Sequence, residues 1–172
     1  MDVFVEQMVK RRKGTADYLV IAGTVLLGLL ILAAAMLVPF LAQLGLLLLA
    51  GVGYGIYYVA STRNLEYEYS TTNGDFTIDK IINRRSRKRV CSFDLKSVDE
   101  MGRFNAEAMR SKTFAKTLRV GVDDAGTDAW YVTVHLKDFG NSLVVFNPDE
   151  RLLAAMKPFL PRQVAVHAFR GN

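Results

Sequence analysis

The 172-residue chain carries 22 Lys and Arg against 17 Asp and Glu, a formal charge of +5, and a single cysteine, Cys91. One cysteine excludes an intrachain disulfide, and Cys91, His135 and His167 stand too far apart for a zinc-ligand spacing. The excess divides as +1 over residues 1–17 and +4 beyond residue 60, too little to point to nucleic acid, although beside a membrane the same charge favours an anionic leaflet.

Residues 1–17 read as a basic cytoplasmic segment containing Lys10, Arg11, Arg12 and Lys13. No charged residue follows until Arg63, so residues 18–60 are twice the length a helix needs to cross about 30 Å of hydrocarbon. Pro39 disfavours helix at Val38 and predicts two antiparallel transmembrane helices, about 18–38 and 40–60. Basic residues flank the outer ends (Lys10 to Lys13, and Arg63), whereas the connecting turn has only Gln43 as a polar side chain. That bias places a multi-pass protein in the cytoplasmic membrane with both termini inside. Tyr18, Tyr54, Tyr57 and Tyr58 suit the interfacial zones. The competing reading is a signal peptide cleaved near Ala33-Ala34-Ala35, against which stands a second full-length span with no polar region before it. Gly51 and Gly55 have the spacing for close helix packing, either against the first helix or in a dimer.

From Leu65 the period changes to two. Leu65, Tyr67 and Tyr69 alternate with polar residues, Asn73-Gly74 marks a hairpin, and Phe76 and Ile78 begin the return strand. A third strand follows with Cys91, Phe93 and Leu95 on one face, and a fourth at about Val98–Arg103. Asn105 to Lys116 reads as loop with about one helical turn. Strands are then expected at Leu118–Val122, Trp130–Leu136 and Leu143–Phe146. Asn147 as cap, Pro148 and Glu150 open a helix over about 148–160 that Pro158 ends or kinks near Met156. Beyond Pro161 the chain reads as a frayed end, with residues 164–172 a tail.

The order of seven hairpin-connected strands and a C-terminal helix over residues 61–163 resembles pleckstrin-homology-like (PH-like) domains. The stretches Leu65-Glu-Tyr-Glu-Tyr69, Thr72-Asn-Gly-Asp-Phe-Thr-Ile-Asp-Lys-Ile-Ile-Asn83 and Phe146-Asn-Pro-Asp-Glu-Arg-Leu-Leu-Ala-Ala-Met156 resemble an uncharacterised bacterial family with two N-terminal membrane helices ahead of such a domain. The resemblance implies a membrane-anchored α+β chain: a two-helix transmembrane hairpin followed by a seven-stranded antiparallel β barrel or sandwich capped by an α-helix. It brings no catalytic motif.

One segment carries chemistry. Arg84, Arg85, Arg87, Lys88 and Arg89 crowd the turn between the second and third strands of the domain, and Lys80 and Lys96 extend the patch on either side. In PH-like domains basic hairpin loops bind phosphoinositide headgroups, but that pattern sits in the preceding hairpin, here Asn73-Gly74, so those ligand roles do not transfer. The physical case is independent of the family: arginines tethered beside an anionic leaflet make charge-assisted phosphate contacts. The plain structural reading is a solvated charged hairpin that blunts edge pairing. Nucleic acid is disfavoured, because no aromatic residues interleave the run. Asp123, Asp124 and Asp128 lack the spacing of a calcium loop and read as turn formers. Cys91 is expected inward and His135 outward. With no cofactor motif, metal site or catalytic constellation, the sequence reads as a non-enzymatic, membrane-tethered module for anionic lipids, a protein partner, or both. The alternative is an accessory or regulatory subunit of a larger membrane complex.

Overall fold

In a computed structural model describing residues 4–170, Val38 holds extended backbone (φ −108°, ψ 111°) ahead of Pro39, and the apolar stretch breaks there. The pieces are α1 (Thr15–Met36), a one-turn α2 (Pro39–Gln43) and α3 (Gly45–Thr62). The last starts at Gly45 rather than Phe40 because Pro39 opens a separate turn. Residues 13–64 form one compact unit; residues 4–12 with 65–170 form a second.

Within the helical unit, α1 and α3 are long and apolar enough to cross a membrane. On α1 only Asp17, Gly28 and Ala35 are buried, and nothing on α3 is. Helices apolar on all sides and exposed on nearly all suit a hydrocarbon surrounding rather than the core of a soluble domain. They meet tightly at Gly28, where an added Cβ would lie 2.6 Å from Val52 Cγ1 and 3.3 Å from Ile56 Cδ1. Gly51 and Gly55, expected at that contact, face open space, with nothing within 4 Å of an added Cβ. Val52 and Ile56 occupy the side of α3 turned toward α1, so α1 supplies the small residue. At the open end of this pair Asp17 Oδ2 accepts from the Gly14 N–H (3.0 Å), and Asp17 Oδ1 lies 4.0 Å from Arg63 Nη1.

The second unit holds eight strands, one more than the sequence predicts. Residues ahead of the first helix form β1 (Phe4–Lys10), which pairs antiparallel with β2 (Leu65–Thr72) from Lys10 opposite Glu66 to Phe4 opposite Thr72. The segment treated above only as a basic flank is therefore a sheet element. β3 (Asp75–Ile82) and β4 (Ser86–Asp94) complete an antiparallel sheet in the order β1-β2-β3-β4. The β2–β3 turn is Asn73-Gly74, both left-handed (φ 52° and 97°), as a two-residue hairpin requires. The second sheet has the order β5-β7-β8-β6, with β5 Val98–Arg103, β6 Lys116–Arg119, β7 Trp130–Leu136 and β8 Gly140–Phe146. One helical turn, α4 (Ala106–Arg110), precedes β6. β6 runs parallel to β8. The unit is a pair of four-stranded sheets and not a closed, wholly antiparallel barrel.

Between the sheets Tyr69, Phe76 and Phe146 are completely buried, with Phe93 nearly so; Phe76 and Phe146 ring centroids lie 5.6 Å apart. Leu152 and Met156 of α5 (Glu150–Met156) close one opening of this core. The cap of α5 is Asp149, whose Oδ1 accepts from the Leu152 N–H at 2.7 Å. Asn147, expected to cap, instead accepts from the Val122 N–H (2.8 Å) and donates to the Thr127 carbonyl (2.9 Å). A long-range role displaced the local one. Residues 162–169 are also ordered: α6 (Arg162–Ala168) buries Val164, and Phe169 stacks 5.5 Å from Trp130, with Arg103 over the indole and Lys157 over the phenyl ring.

Candidate functional site

Antiparallel pairing places the end of β1, the start of β2, the end of β3 and the start of β4 at one end of the first sheet. The basic turn, residues 83–85, joins β3 to β4 there. Its backbone is held left-handed at Asn83 and Arg84 (φ 49° and 56°), with the Arg85 N–H on the Ile82 carbonyl at 3.0 Å. At the same end the chain leaves for α1 and returns from α3. Only Arg63 and Asn64 separate α3 from β2, a reach of about 10 Å.

The register sorts the basic residues onto two faces. Directly opposed residues of an antiparallel pair share a face. Glu68, Asp79 and Arg89 therefore lie in one outer row, and Glu66, Ile81 and Arg87 in the next. Arg89 Nε donates to Asp79 Oδ1 at 2.7 Å, Arg87 bonds Glu68 and lies 3.9 Å from Asp79, and Arg84 Nε donates to Glu66 Oε1 at 3.3 Å. Glu68 and Asp79 are almost covered by these arginines and their strand neighbours. Burial pushes the Glu68 carboxyl above its ordinary range, helped by Glu6 and opposed by Arg87. Three of the five bases of the turn are thus internally neutralised.

On the opposite face the row reads Val9, Tyr67, Lys80, Lys88. Lys80 and Lys88 are directly opposed, and neither these two nor Arg85 has an ion-pair partner among the described residues. Lys96 does not extend this patch. It follows β4 at the other end of the sheet, where the Leu95 N–H bonds the Gly74 carbonyl. Nine residues of β4 at about 3.3 Å each separate the two ends. Arg11 is also committed, since its side chain pairs with Asp124 at 2.7 Å and its N–H bonds the Leu65 carbonyl. The Arg12 N–H bonds the Val122 carbonyl.

A cavity of about 520 Å³ opens on the outer face at this same end, lined by Met8, Val9, Lys10, Glu66, Ile81 and Arg84. Sequence reasoning missed it because half of its wall is β1. A smaller polar cavity of about 340 Å³ lies between β5 and α6, where Lys112 pairs with Glu100 beside Tyr131 and His167. Burial raises the Tyr131 hydroxyl's pKa there. Among the described residues no group of three metal-ligating side chains occurs. Cys91 is buried on the core face, its thiol pushed up to about 12 by burial. His135 is exposed, and Asp123 closes its turn by accepting from the Gly126 and Thr127 N–H groups.

Searches of curated proteins and of solved structures return no match to this chain. A protein-family model does match, over residues 1–166, and its span takes in β1, the helical pair and both sheets. The chain belongs to the bacterial PH-like domain family DUF6106.

Proposed function

We propose that this protein is a non-enzymatic, multi-pass membrane protein with both termini in the cytoplasm, holding a PH-like interaction module against the inner leaflet. The observation that carries the topology is the β1–β2 pairing. Strands on either side of the apolar helices lie in one sheet, so a folded domain requires an even number of crossings. The same pairing argues against cleavage near Ala33, which would strip β1 from the sheet. Lys10, Lys13 and Arg63 flank the outer ends and no Lys or Arg stands in the connecting turn, which puts the domain on the cytoplasmic side. The short connections then keep the basic end of the first sheet near anionic headgroups, whose attraction is worth about 1 kcal/mol per Lys or Arg.

Reporters that are active only in the cytoplasm, fused to each terminus in turn, test this reading. Both should be active, and a split result would remove it. A second reading, an accessory subunit packed in a larger membrane complex, draws on the open face of α3 at Gly51, Gly53 and Gly55. Crosslinking in intact membranes from a residue on that face would favour it if one protein is captured stoichiometrically.

A further inference from the structure

We infer that Lys80, Arg85 and Lys88 form the surface that contacts lipid phosphate, while Arg84, Arg87 and Arg89 serve the fold. The inference rests on the leaflet-facing reading above and names its contact residues. Its basis is charge accounting by face. On the outer face Glu66, Glu68 and Asp79 each hold an arginine within ion-pair distance, so that face has little field left to offer. On the other face two lysines stand directly opposed across β3 and β4, and neither has an ion-pair partner among the described residues. Like charges in that position oppose strand pairing. An anion between them reverses the sign of the interaction, and a phosphodiester headgroup supplies one. Arg85 adds a planar donor fork at the adjoining turn, a geometry suited to phosphate oxygens.

A β-bulge produces the arrangement. Register shifts between Ile78 and Asp79, leaving Val90 as the extra residue of β4. With strict alternation from the buried Cys91, Arg87 and Arg89 would face the core side and Lys88 the outside. The bulge exchanges them, sending the two arginines to the carboxylates and Lys88 to Lys80.

Residue-resolved labelling of the full chain tests the assignment without altering it. The protein is placed in nanodiscs of phosphatidylcholine alone, or with a third of the lipid as phosphatidylglycerol. Lysines are acetylated with a neutral amine reagent, arginines are modified with phenylglyoxal, and rates are read by mass spectrometry. Phosphatidylglycerol should slow labelling of Lys80, Lys88 and Arg85 several-fold, and high salt should restore it. Lys137, in the exposed β7–β8 turn, should be unchanged, as should Arg84, Arg87 and Arg89. Protection of the three paired arginines in place of Lys80 and Lys88 would overturn this inference while leaving leaflet contact standing. No protection anywhere would take the leaflet contact with it. Equal protection by inorganic phosphate added to phosphatidylcholine discs would reassign the site to a soluble anion and overturn the lipid assignment.

Discussion

Deleting β1 while keeping the rest of the domain should unfold it. Val9 is buried and Val5 packs against the same core, together contributing about 3 kcal/mol if a fully buried valine is worth about 2. Gln7 spans the strand to α5, donating to the Asn147 carbonyl at 3.0 Å and accepting from the Asp149 N–H at 2.8 Å, about 1 kcal/mol each. The loss is then about 5 kcal/mol, against a total stability of about 5–15 kcal/mol for a small domain. It also leaves the edge of β2 open. The comparison is between residues 65–172 alone and a spliced chain in which residues 1–12 run through a short Gly-Ser loop into residue 65. Trp130, the sole tryptophan and 2% exposed, reports unfolding by fluorescence. With a urea slope of about 1.5 kcal/mol/M, the midpoint of the shorter chain should fall by about 3 M or the cooperative transition should vanish. Coincident transitions in the two chains would refute the role given to β1.

Gly28→Leu should force α1 and α3 apart and lower the thermal midpoint of the full chain in detergent, whereas Gly51→Ala, in open space, should leave it unchanged. Tyr69→Phe removes the hydroxyl that donates to the Val120 carbonyl at 2.5 Å in the core; an unpaired buried acceptor should cost about 1–3 kcal/mol, read as a drop in the Trp130-monitored midpoint. Cys91 should resist thiol reagents in the folded protein at pH 8 and react fully on denaturation. Its folded pKa lies above the unfolded value of 9.0, so the native state holds the proton longer; the associated stability is complete below about pH 9 and is lost as pH rises toward 12. Cys91→Ala should flatten that alkaline decline, and an unchanged pH profile would count against a buried thiol.

What the sequence made legible was whatever local chemistry dictates. Asn73-Gly74 marks its hairpin because two consecutive left-handed positions demand such residues, and Pro39 marks the helix break because it strains Val38. β1 escaped because its pattern is inverted. Val5, Gln7 and Val9 face the core while Phe4 and Met8 lie exposed on the other side, and Gln7 is tolerated inside only through its bonds to residues 147 and 149. α6 escaped for a related reason: a short helix behind Pro161 is held by Val164 and the Phe169–Trp130 stack, neither of which is local. The basic run was visible as a cluster, but its division into paired and free residues depends on a bulge that composition does not announce.

The position of β1 ties the two parts of the chain into one folding problem. Lys10 and Glu66 are neighbours in the sheet, yet the whole helical pair lies between them in sequence. Closing a loop that long costs chain entropy, and a disordered segment would leave the strands to find each other unaided. An antiparallel helix pair changes the terms. Once α1 and α3 pack, their axes run about 8–10 Å apart, close to the roughly 5 Å spacing that β1 and β2 need, with only a few residues of slack on either side. Helix packing therefore meets most of the closure cost before the strands meet. Packing of α1 on α3 should therefore speed β1–β2 pairing in the full chain, so Gly28→Leu should slow completion of the first sheet, whereas a short loop joining residue 12 to residue 65 should free the sheet from that dependence.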